Sequence, residues 1–520
     1  MKALSLPIPE QFNVAQFFVE RHVREGRGDS LALLFEDRQF TYRQIAEQVN
    51  RAANLFARSG VKKRERILLL ARDSPSWVAA FWGGIKLGAV VVPLNTLLTP
   101  DDYAFMLRDS SARGLIVEDV LLEKVAPILS TSRRRKLVWV AGQAPEGYRT
   151  FEGELARHSP DFTAAVTRRD APAFWLYTSG STGQPKAAIH CHQDMTVCLE
   201  RFARQVLQIS ASDRTFSTSK LFFAYGLGNG LYFSFGVGGS SVLLAERPTP
   251  ERVFSILRRH RPTLFFAVPA VYSALLQAPE ADVDAFRTVR CAVSAGEALP
   301  AMLWENFRGR FGISILDGIG STEMLHMFIS NRLEDMRPGR SGMLVPGYDA
   351  KIVDEDDREV APGETGNLLV RGESGARAYW RRPELTRQTF RKGWIFTGDR
   401  YSRDARGYFL HHGRSDDMLK VSGMWVSPLE VENALLAHRA VMDCAVVGVA
   451  DRQGLTKPKA FVVLKNPASA SQELAEELAQ FLKTRLASYK LPREIAFLES
   501  LPRTATGKIQ RYKLRAGYLP

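Results

Sequence analysis

The chain has 520 residues, 45% hydrophobic and 24% charged, with a net charge of +14. That length predicts at least two domains, and the composition excludes a disordered, collagen-like or disulfide-stapled chain. The basic residues are scattered, with short clusters only at 133–136 and 258–261. They argue for a solvated surface that attracts anionic small molecules, and against nucleic acid or an acidic membrane as partner. Cys191, Cys198, Cys291 and Cys444 show no C-x-x-C spacing and read as reduced thiols, with no zinc site. Residues 1–20 lack the features of a secretory signal, so a cytoplasmic protein is expected. The most apolar window, 77–94, is interrupted by Lys86, glycines and Pro93, which fits a buried helix running into a strand rather than a membrane span.

Apolar periodicity sets the order of elements. A helical spacing follows Phe40-Thr41-Tyr42 through Ile45, Val49, Ala52, Leu55 and Phe56, and 66–70 follows as a buried strand. Residues 76–87 read as helix, 89–92 as strand, 100–108 as helix and 114–117 as strand. The alternation predicts an α/β domain with mostly parallel strands, its first unit ending near residue 168.

Ala173-Phe174-Trp175-Leu176-Tyr177 is another short strand, leading into Thr178-Ser179-Gly180-Ser181-Thr182-Gly183-Gln184-Pro185-Lys186. Its glycines open backbone angles closed to other residues, its hydroxyls and amides are donors, and Lys186 adds a positive charge, a set that suits a polyphosphate. A helix is expected to begin within 187–199, making this a strand-to-helix loop, with a long helix over 191–207. The pattern is not the usual P-loop. Gln184 and Pro185 separate Gly183 from its lysine, and neither Lys186 nor Lys508 is followed by Ser or Thr.

Residues 220–230 mix aromatics with glycines. Phe223 or Tyr225 could wall a flat ligand beside glycine backbone, or the aromatics could be core with glycines that permit helix packing. The βα repeat continues as strand 241–244, helix 249–260, strand 264–268 and strand 289–294. The last ends in Ala295-Gly296-Glu297, at the carboxyl end where ligands of open α/β sheets gather. The same position recurs where 314–317 runs into Gly318-Ile319-Gly320-Ser321-Thr322-Glu323-Met324-Leu325-His326. There Thr322 can donate to a phosphate and Glu323 can hold a hard cation, or Ser321 to Glu323 cap a helix.

Short alternating strands over 350–371, turning at 354–357, predict a β-rich subdomain. In Phe396-Thr397-Gly398-Asp399 the carboxylate could take both hydroxyls of a ribose or form a turn. Arg414-Ser415-Asp416-Asp417-Met418 is a charged break before a small α+β tail. Ser427-Pro428-Leu429-Glu430 starts a helix with an N-cap serine, a first-turn proline and a capping-box glutamate. Strands over 443–449 and 459–464, a helix over 472–486, a strand near 494–498 and a polar loop at 504–508 complete it.

Taken in order, these motifs resemble those of the adenylate-forming enzymes over nearly the whole chain. The stretches KLFFAYGLGNG, ERPTP, SAGEALP, LDGIGSTEMLH, GRSDDMLKVSG and PRTATGK are similar to benzoate-CoA ligases and related aryl-CoA ligases. The resemblance implies an α/β fold: a large N-terminal domain, 1–415, of βα layers with a β-rich subdomain, and a small mobile α+β C-terminal domain, 416–520. It implies that ATP activates an aromatic carboxylic acid to an acyl-adenylate with release of pyrophosphate, that Mg2+ assists, and that the thiol of coenzyme A then takes the acyl group.

By the same resemblance Lys508 bridges carboxylate and α-phosphate oxygens, Glu323 helps hold Mg2+, and Thr178, Ser179, Gly180, Ser181, Thr182, Gly183 and Lys186 steer the outer phosphates. Gly296, Glu297, Asp317 and Gly318 match positions around adenine, Thr322 the AMP phosphate, and Asp399 with Arg414 the ribose. Phe223, Ala224, Tyr225, Gly226, Gly320, His326 and Met327 match the aryl pocket, His326 as carboxylate partner or as a packed histidine behind it. The C-terminal domain turns about Asp416, withdrawing Lys508 and bringing Lys420, Ser422, Gly423 and Trp425 to border the pantetheine tunnel. Where the family continues Pro-Lys-Gly, this chain carries Ala187 and Ala188, two methyls at the expected helix start. A stand-alone aryl-acid adenylating enzyme that loads a carrier-protein pantetheine is the alternative; retained Lys508 and Glu323 argue against a non-catalytic nucleotide binder. A homodimer is left open. Benzoate, 2-aminobenzoate and hydroxybenzoate are not separated.

Overall fold

A computed structural model describes residues 6–130, 137–178, 185–279, 282–415, 417–421, 424–450, 456–503 and 509–517, with the backbone alone at 420, 424 and 425. Among them a seven-stranded sheet runs in the order Arg149–Thr150, Leu137–Ala141, Gly114–Glu118, Arg66–Leu70, Val90–Pro93, Pro172–Thr178, Lys186–Cys191, parallel except for its last pair. The helix Tyr42–Arg58 begins at a reciprocal Thr41/Gln44 capping box, and Pro75–Leu87 begins at Ser74, whose side chain accepts from the Trp77 amide. These two helices meet at Gly83, where a Cβ would lie 2.6 Å from that of Ala52. Trp77, Phe81 and Trp82 are fully buried nearby, each worth roughly 1.5–3 kcal/mol of transfer free energy. Lys86, the charge that interrupts this apolar window, is buried against Glu20 and Asn50. No helix among the described residues is long and apolar enough to cross a membrane.

The stretch after the loop at 179–185 departs from expectation. Lys186–Cys191 is a strand, antiparallel to Pro172–Thr178, so the loop is a hairpin connection; the helix begins only at Asp194–Cys198 and widens into a π-turn over Leu199–Ala203. Alternation explains it: Ala187 and Ile189 face the apolar core of the first sheet, while Ala188 packs with Ala376 and Tyr379 on the other side. Ala187 and Ala188 therefore sit in a strand rather than at a helix start.

A second sheet of nine strands runs Met343–Leu344, Met327–Ser330, Ile315–Gly320, Cys291–Ser294, Leu264–Ala267, Arg214–Ser217, Ser240–Leu243, Leu31–Phe35, Arg38–Thr41, parallel in its centre and antiparallel at both edges. Parallel strands align their carboxyl ends, which places Ser294 beside Asp317. The β-rich part is an antiparallel sheet built on Asp349–Val353, Gly366–Arg371, Trp394–Arg403 and Phe409–Arg414. Beyond it lie the hairpin Leu419–Val421/Met424–Val426, the helices Pro428–Leu436 and Gln472–Lys483, and the sheet Val441–Ala450, Thr456–Leu464, Glu494–Phe497. Ser427 caps its helix as expected, but the Glu430 carboxylate accepts from Lys490 Nζ at 2.6 and 2.8 Å instead of closing a capping box. A full charge outcompetes the N-cap amide.

The C-terminal part is tied internally through buried Glu432, which accepts from the Val446 amide at 2.7 Å and from Arg511 Nη2 at 2.8 and 2.9 Å. Replacing Glu432 with Ala strands both an amide and a guanidinium. The variant is expected to lose about 3 kcal/mol of stability in the C-terminal part, read as faster amide exchange along Val441–Ala450 with the N-terminal sheets unchanged.

Candidate active site

The site is organised where the two large sheets meet. Thr178 and Lys186 pair where the two strands run into their connecting loop; Ser179, Gly180, Ser181, Thr182 and Gly183 lie outside the described residues. Lys186 Nζ donates to the Tyr379 hydroxyl at 2.7 Å, sits 4.2 Å from the centre of that ring, and lies 3.7 Å from Glu323 Oε1. The Tyr379 hydroxyl in turn donates to Glu323 Oε1 at 2.5 Å. Burial and the Glu323 charge both raise the Tyr379 phenol above its ordinary pKa, so it remains a donor. Tyr379 is held by backbone pairing to the strand that carries Lys186: Ile189 N donates to Ala378 O, and Trp380 N to Ala187 O. Sequence reasoning did not single it out.

Thr322 and Glu323 occupy a loop between Ile315–Gly320 and Met327–Ser330, with no helix after them for Ser321 to cap. The loop includes Leu325 at φ 66°, a left-handed conformation unfavourable for a leucine. Surrounding hydrogen bonds hold it: Ala376 N donates to Glu323 O at 2.7 Å and Ser374 Oγ to Met324 O at 2.8 Å. No group of three or more His, Cys, Asp or Glu side chains among the described residues could cage a metal. A single carboxylate beside the Lys186 ammonium fits Mg2+, which takes one or two carboxylates and completes its shell with phosphate and water.

Gly296 follows Cys291–Ser294 at φ 95°, a conformation that favours glycine, and Glu297 comes next. Asp317 is buried, burial pushes its carboxyl well above the usual range, and its Oδ1 has no hydrogen-bond partner among the described protein atoms. A Cβ at Gly318 would lie 2.4 Å from both Ile329 O and the Met327 methyl. On the β-rich sheet Asp399 Oδ1 pairs with Arg414 Nη1 at 3.3 Å, and the guanidinium covers Gly398, where a Cβ would lie 2.6 Å from Nη2.

Ala224–Leu227 starts a helix that widens into a π-turn over Gly228–Tyr232, an irregularity often found at functional sites. Phe223, Ala224 and Tyr225 are half-buried. The Tyr225 hydroxyl donates to Val293 O at 3.0 Å, at the end of a central strand. At Gly226 a Cβ would lie 2.1 Å from the Lys220 carbonyl, and at Gly320 2.7 Å from that of His326. Met327 and His326 are buried behind this wall. His326 sits among Phe202, Tyr225 and Phe233, its Nε2 3.1 Å from Asn229 Oδ1. Burial lowers its pKa to about 3, so the imidazole is neutral.

The C-terminal part reaches the site at Glu297. Its carboxylate accepts from the Ile509 amide at 3.2 Å and pairs with Arg503 Nη1 at 3.5 Å, and Arg503 also binds Asp443 at 2.7 Å. Arg503 and Ile509 form a β-bridge flanking 504–508. Lys508 itself lies outside the described residues, as do Asp416, Ser422, Gly423 and the side chains of Lys420 and Trp425. Lys420 and Trp425 face each other in the short hairpin. Arg503 gave no signal in the sequence, since its partners are far along the chain.

Comparison with known proteins gives a consistent picture. The AMP-binding enzyme model matches residues 19–380, and the AMP-binding enzyme C-terminal domain model matches residues 430–508. The benzoate-CoA ligase of Thauera aromatica is 46% identical over 514 residues, 98% of this chain and 97% of that one. The anthranilate CoA ligase AuaEII, solved in complex with anthranoyl-AMP, superimposes with a TM-score of 0.94 at 41% identity over 98% of both chains. A benzoate CoA ligase from Burkholderia xenovorans LB400 does so with 0.91 at 43%, covering 97% of this chain and 100% of that one.

The buried neutral His326 carries a stability signature. Its folded pKa of about 3 lies below the unfolded value near 6.5, so the unfolded chain binds the extra proton and stability falls as pH drops from about 6.5 towards 3. In urea unfolding, His326→Gln should lose about 1 kcal/mol less than the parent between pH 7 and pH 5.5. Equal losses would show that His326 ionises freely in the folded state.

Proposed function

The chain belongs to the AMP-binding enzyme family, and we infer that it is an ATP-dependent, AMP-forming aryl-CoA ligase. A benzoate-type carboxylate oxygen attacks the α-phosphorus of ATP and pyrophosphate leaves. The thiol of coenzyme A then attacks the acyl carbonyl of the adenylate and AMP leaves. The observation that carries this reading is the Lys186–Tyr379–Glu323 linkage at the mouth of a hydroxyl-rich hairpin, beside a wall of aromatic side chains and glycine backbone.

In this reading Lys186 and the loop from Thr178 to Gly183 bind the outer phosphates, and Thr322 the α-phosphate. Bound at Glu323, Mg2+ would offset phosphate charge as it builds up. Tyr379 bridges the Lys186 ammonium and the Glu323 carboxylate through its hydroxyl and orients that carboxylate, while the two charges also pair directly at 3.7 Å. Asp317, with its unpartnered acceptor, suits the amino edge of adenine, with Gly296, Glu297 and Gly318 around it; Asp399 and Arg414 suit the ribose. A flat ring is expected against Phe223, Ala224, Tyr225, Gly226, Gly320 and Met327. His326 contributes there as a neutral neighbour of Asn229, behind the ring site, rather than as a cation.

The division at 415/416 and rotation about Asp416 belong to the same reading. The contacts to Glu297 on either side of 504–508 support a first-step arrangement, with Lys508 beside the α-phosphate. Rotation would then replace it by the 420–425 hairpin. A reducing cytoplasmic setting agrees with four free, buried cysteines. The full-length likeness to CoA ligases supports coenzyme A over a carrier protein as acceptor.

A panel of benzoate, 2-aminobenzoate, hydroxybenzoates and fatty acids, assayed for pyrophosphate release and CoA-thioester formation, tests the substrate class. An aromatic acid is expected to win, and an aliphatic preference would sink the assignment. Lys508→Ala is expected to lose adenylation by 10² to 10³-fold, roughly the effect of one electrostatic contact, while still converting supplied acyl-adenylate to thioester. Equal loss of both steps would refute the division of labour.

A further inference from the structure

The ligase reading leaves a buried histidine–aspartate pair without a role. His190 lies on the strand Lys186–Cys191, stacked on Phe174 with ring centres 5.2 Å apart and planes 17° apart, and shielded from solvent. Its Nε2 is 2.8 Å from the carbonyl oxygen of Thr322, and its Nδ1 is 2.9 Å from Asp194 Oδ2. A carbonyl only accepts, so Nε2 carries a proton. Asp194 Oδ2 also takes the Cys191 amide at 2.9 Å, which fixes the carboxylate and through it the plane of the ring. One proton lies between Nδ1 and Oδ2, and the pair has no net charge whichever atom holds it.

Three consecutive carbonyls of the strained loop are thus held from three directions: Thr322 by His190, Glu323 by the Ala376 amide, Met324 by the Ser374 hydroxyl. The first of these is made by a side chain from the other large sheet, two residues along the strand from Ala188 and four from Lys186. Successive even positions of a strand share a face. One strand face thus presents Lys186 to Tyr379 and His190 to Thr322.

We propose that His190, oriented by Asp194, is a positioning residue that fixes the Thr322 peptide and so aims the Thr322 hydroxyl and the Glu323 carboxylate at the nucleotide phosphates. It touches no substrate itself. The proposal rests on the ligase reading, and AMP binding by the parent enzyme tests that reading separately: no binding there would fail the reading, whatever the variants do.

The test compares His190→Phe, which keeps the stacked ring and loses the donor, with His190→Gln, whose amide can donate to the Thr322 carbonyl. AMP affinity is measured by calorimetry without metal, alongside melting temperature and the KM for the aromatic acid. The expected result for His190→Phe is about a tenfold loss of AMP affinity, with the acid KM within about twofold of the parent, and recovery of most of the affinity in His190→Gln. Unchanged AMP affinity in His190→Phe, or equal weakness in both variants, overturns the proposal in favour of simple packing. Should His190→Phe fail to fold, nitrogen NMR of the parent labelled at its histidines decides: a protonated, hydrogen-bonded Nε2 supports the proposal and an unprotonated Nε2 overturns it.

Discussion

The antiparallel pairing of Lys186–Cys191 with Pro172–Thr178 is the constraint on which the rest of the site depends. It brings Lys186 back beside Thr178 and adds an outer edge to the first sheet. Because side chains alternate across a strand, Ala187 and Ile189 anchor that edge to the first core, while Lys186, Ala188 and His190 point at the second sheet and at Tyr379. A slip of one residue would bury the ammonium and expose the anchors, so the core enforces the register that the chemistry needs.

Across this rigid junction the C-terminal part is fastened lightly. Its described contacts include the Ile509 amide and the Arg503 guanidinium on the partly exposed Glu297, at 3.2 and 3.5 Å, and the Ser427 hydroxyl, which donates to His412 O. Ion pairs in such settings contribute between nothing and about 1 kcal/mol. Within the C-terminal part Glu432 is buried and both its oxygens accept from Arg511 Nη2, a stronger tie. Strong bonds inside the C-terminal part and weaker ones at Glu297 would let it turn as a body in the proposed rotation.

Elements with one unambiguous period were legible in the sequence. The strand Arg66–Leu70 and the helices Tyr42–Arg58 and Pro75–Leu87 stand within a residue or so of where periodicity puts them. Residues 187–191 were not, because Ala-Ala-Ile-His-Cys has no strong preference and its strand state comes from partners at 172–178 and at Tyr379. The motif residues suggested their chemistry directly, since glycines, hydroxyls and a lysine gathered in one loop suit a phosphate, and the proposed function rests on that reading. Tyr379, Arg503 and His190 did not, because each matters through a contact more than a hundred residues away along the chain. A lone tyrosine in Arg377-Ala378-Tyr379-Trp380 carries no local sign of the carboxylate it meets.

The proposed aryl wall is stiff for similar reasons. The backbone between Lys220 and Gly228 is tied to the first lobe by Asp73, whose Oδ1 accepts from the Leu221 amide at 3.0 Å, and to the second by Lys220 Nζ, which donates to the Glu246 carbonyl at 2.7 Å. Gly226 admits no side chain, and Tyr225 is fixed at its hydroxyl. A wall of backbone and tethered rings discriminates by volume, worth about 1–3 kcal/mol for a methylene-sized difference, and has little capacity to adapt. Met327 differs: its thioether is flexible and its methyl lies against the Gly318 backbone, between the proposed adenine and ring positions. On the proposed reading, the ring substituent would be read chiefly where Met327 can move, and a polar substituent would be tolerated there only with a partner, since a thioether supplies no donor and only a weak acceptor.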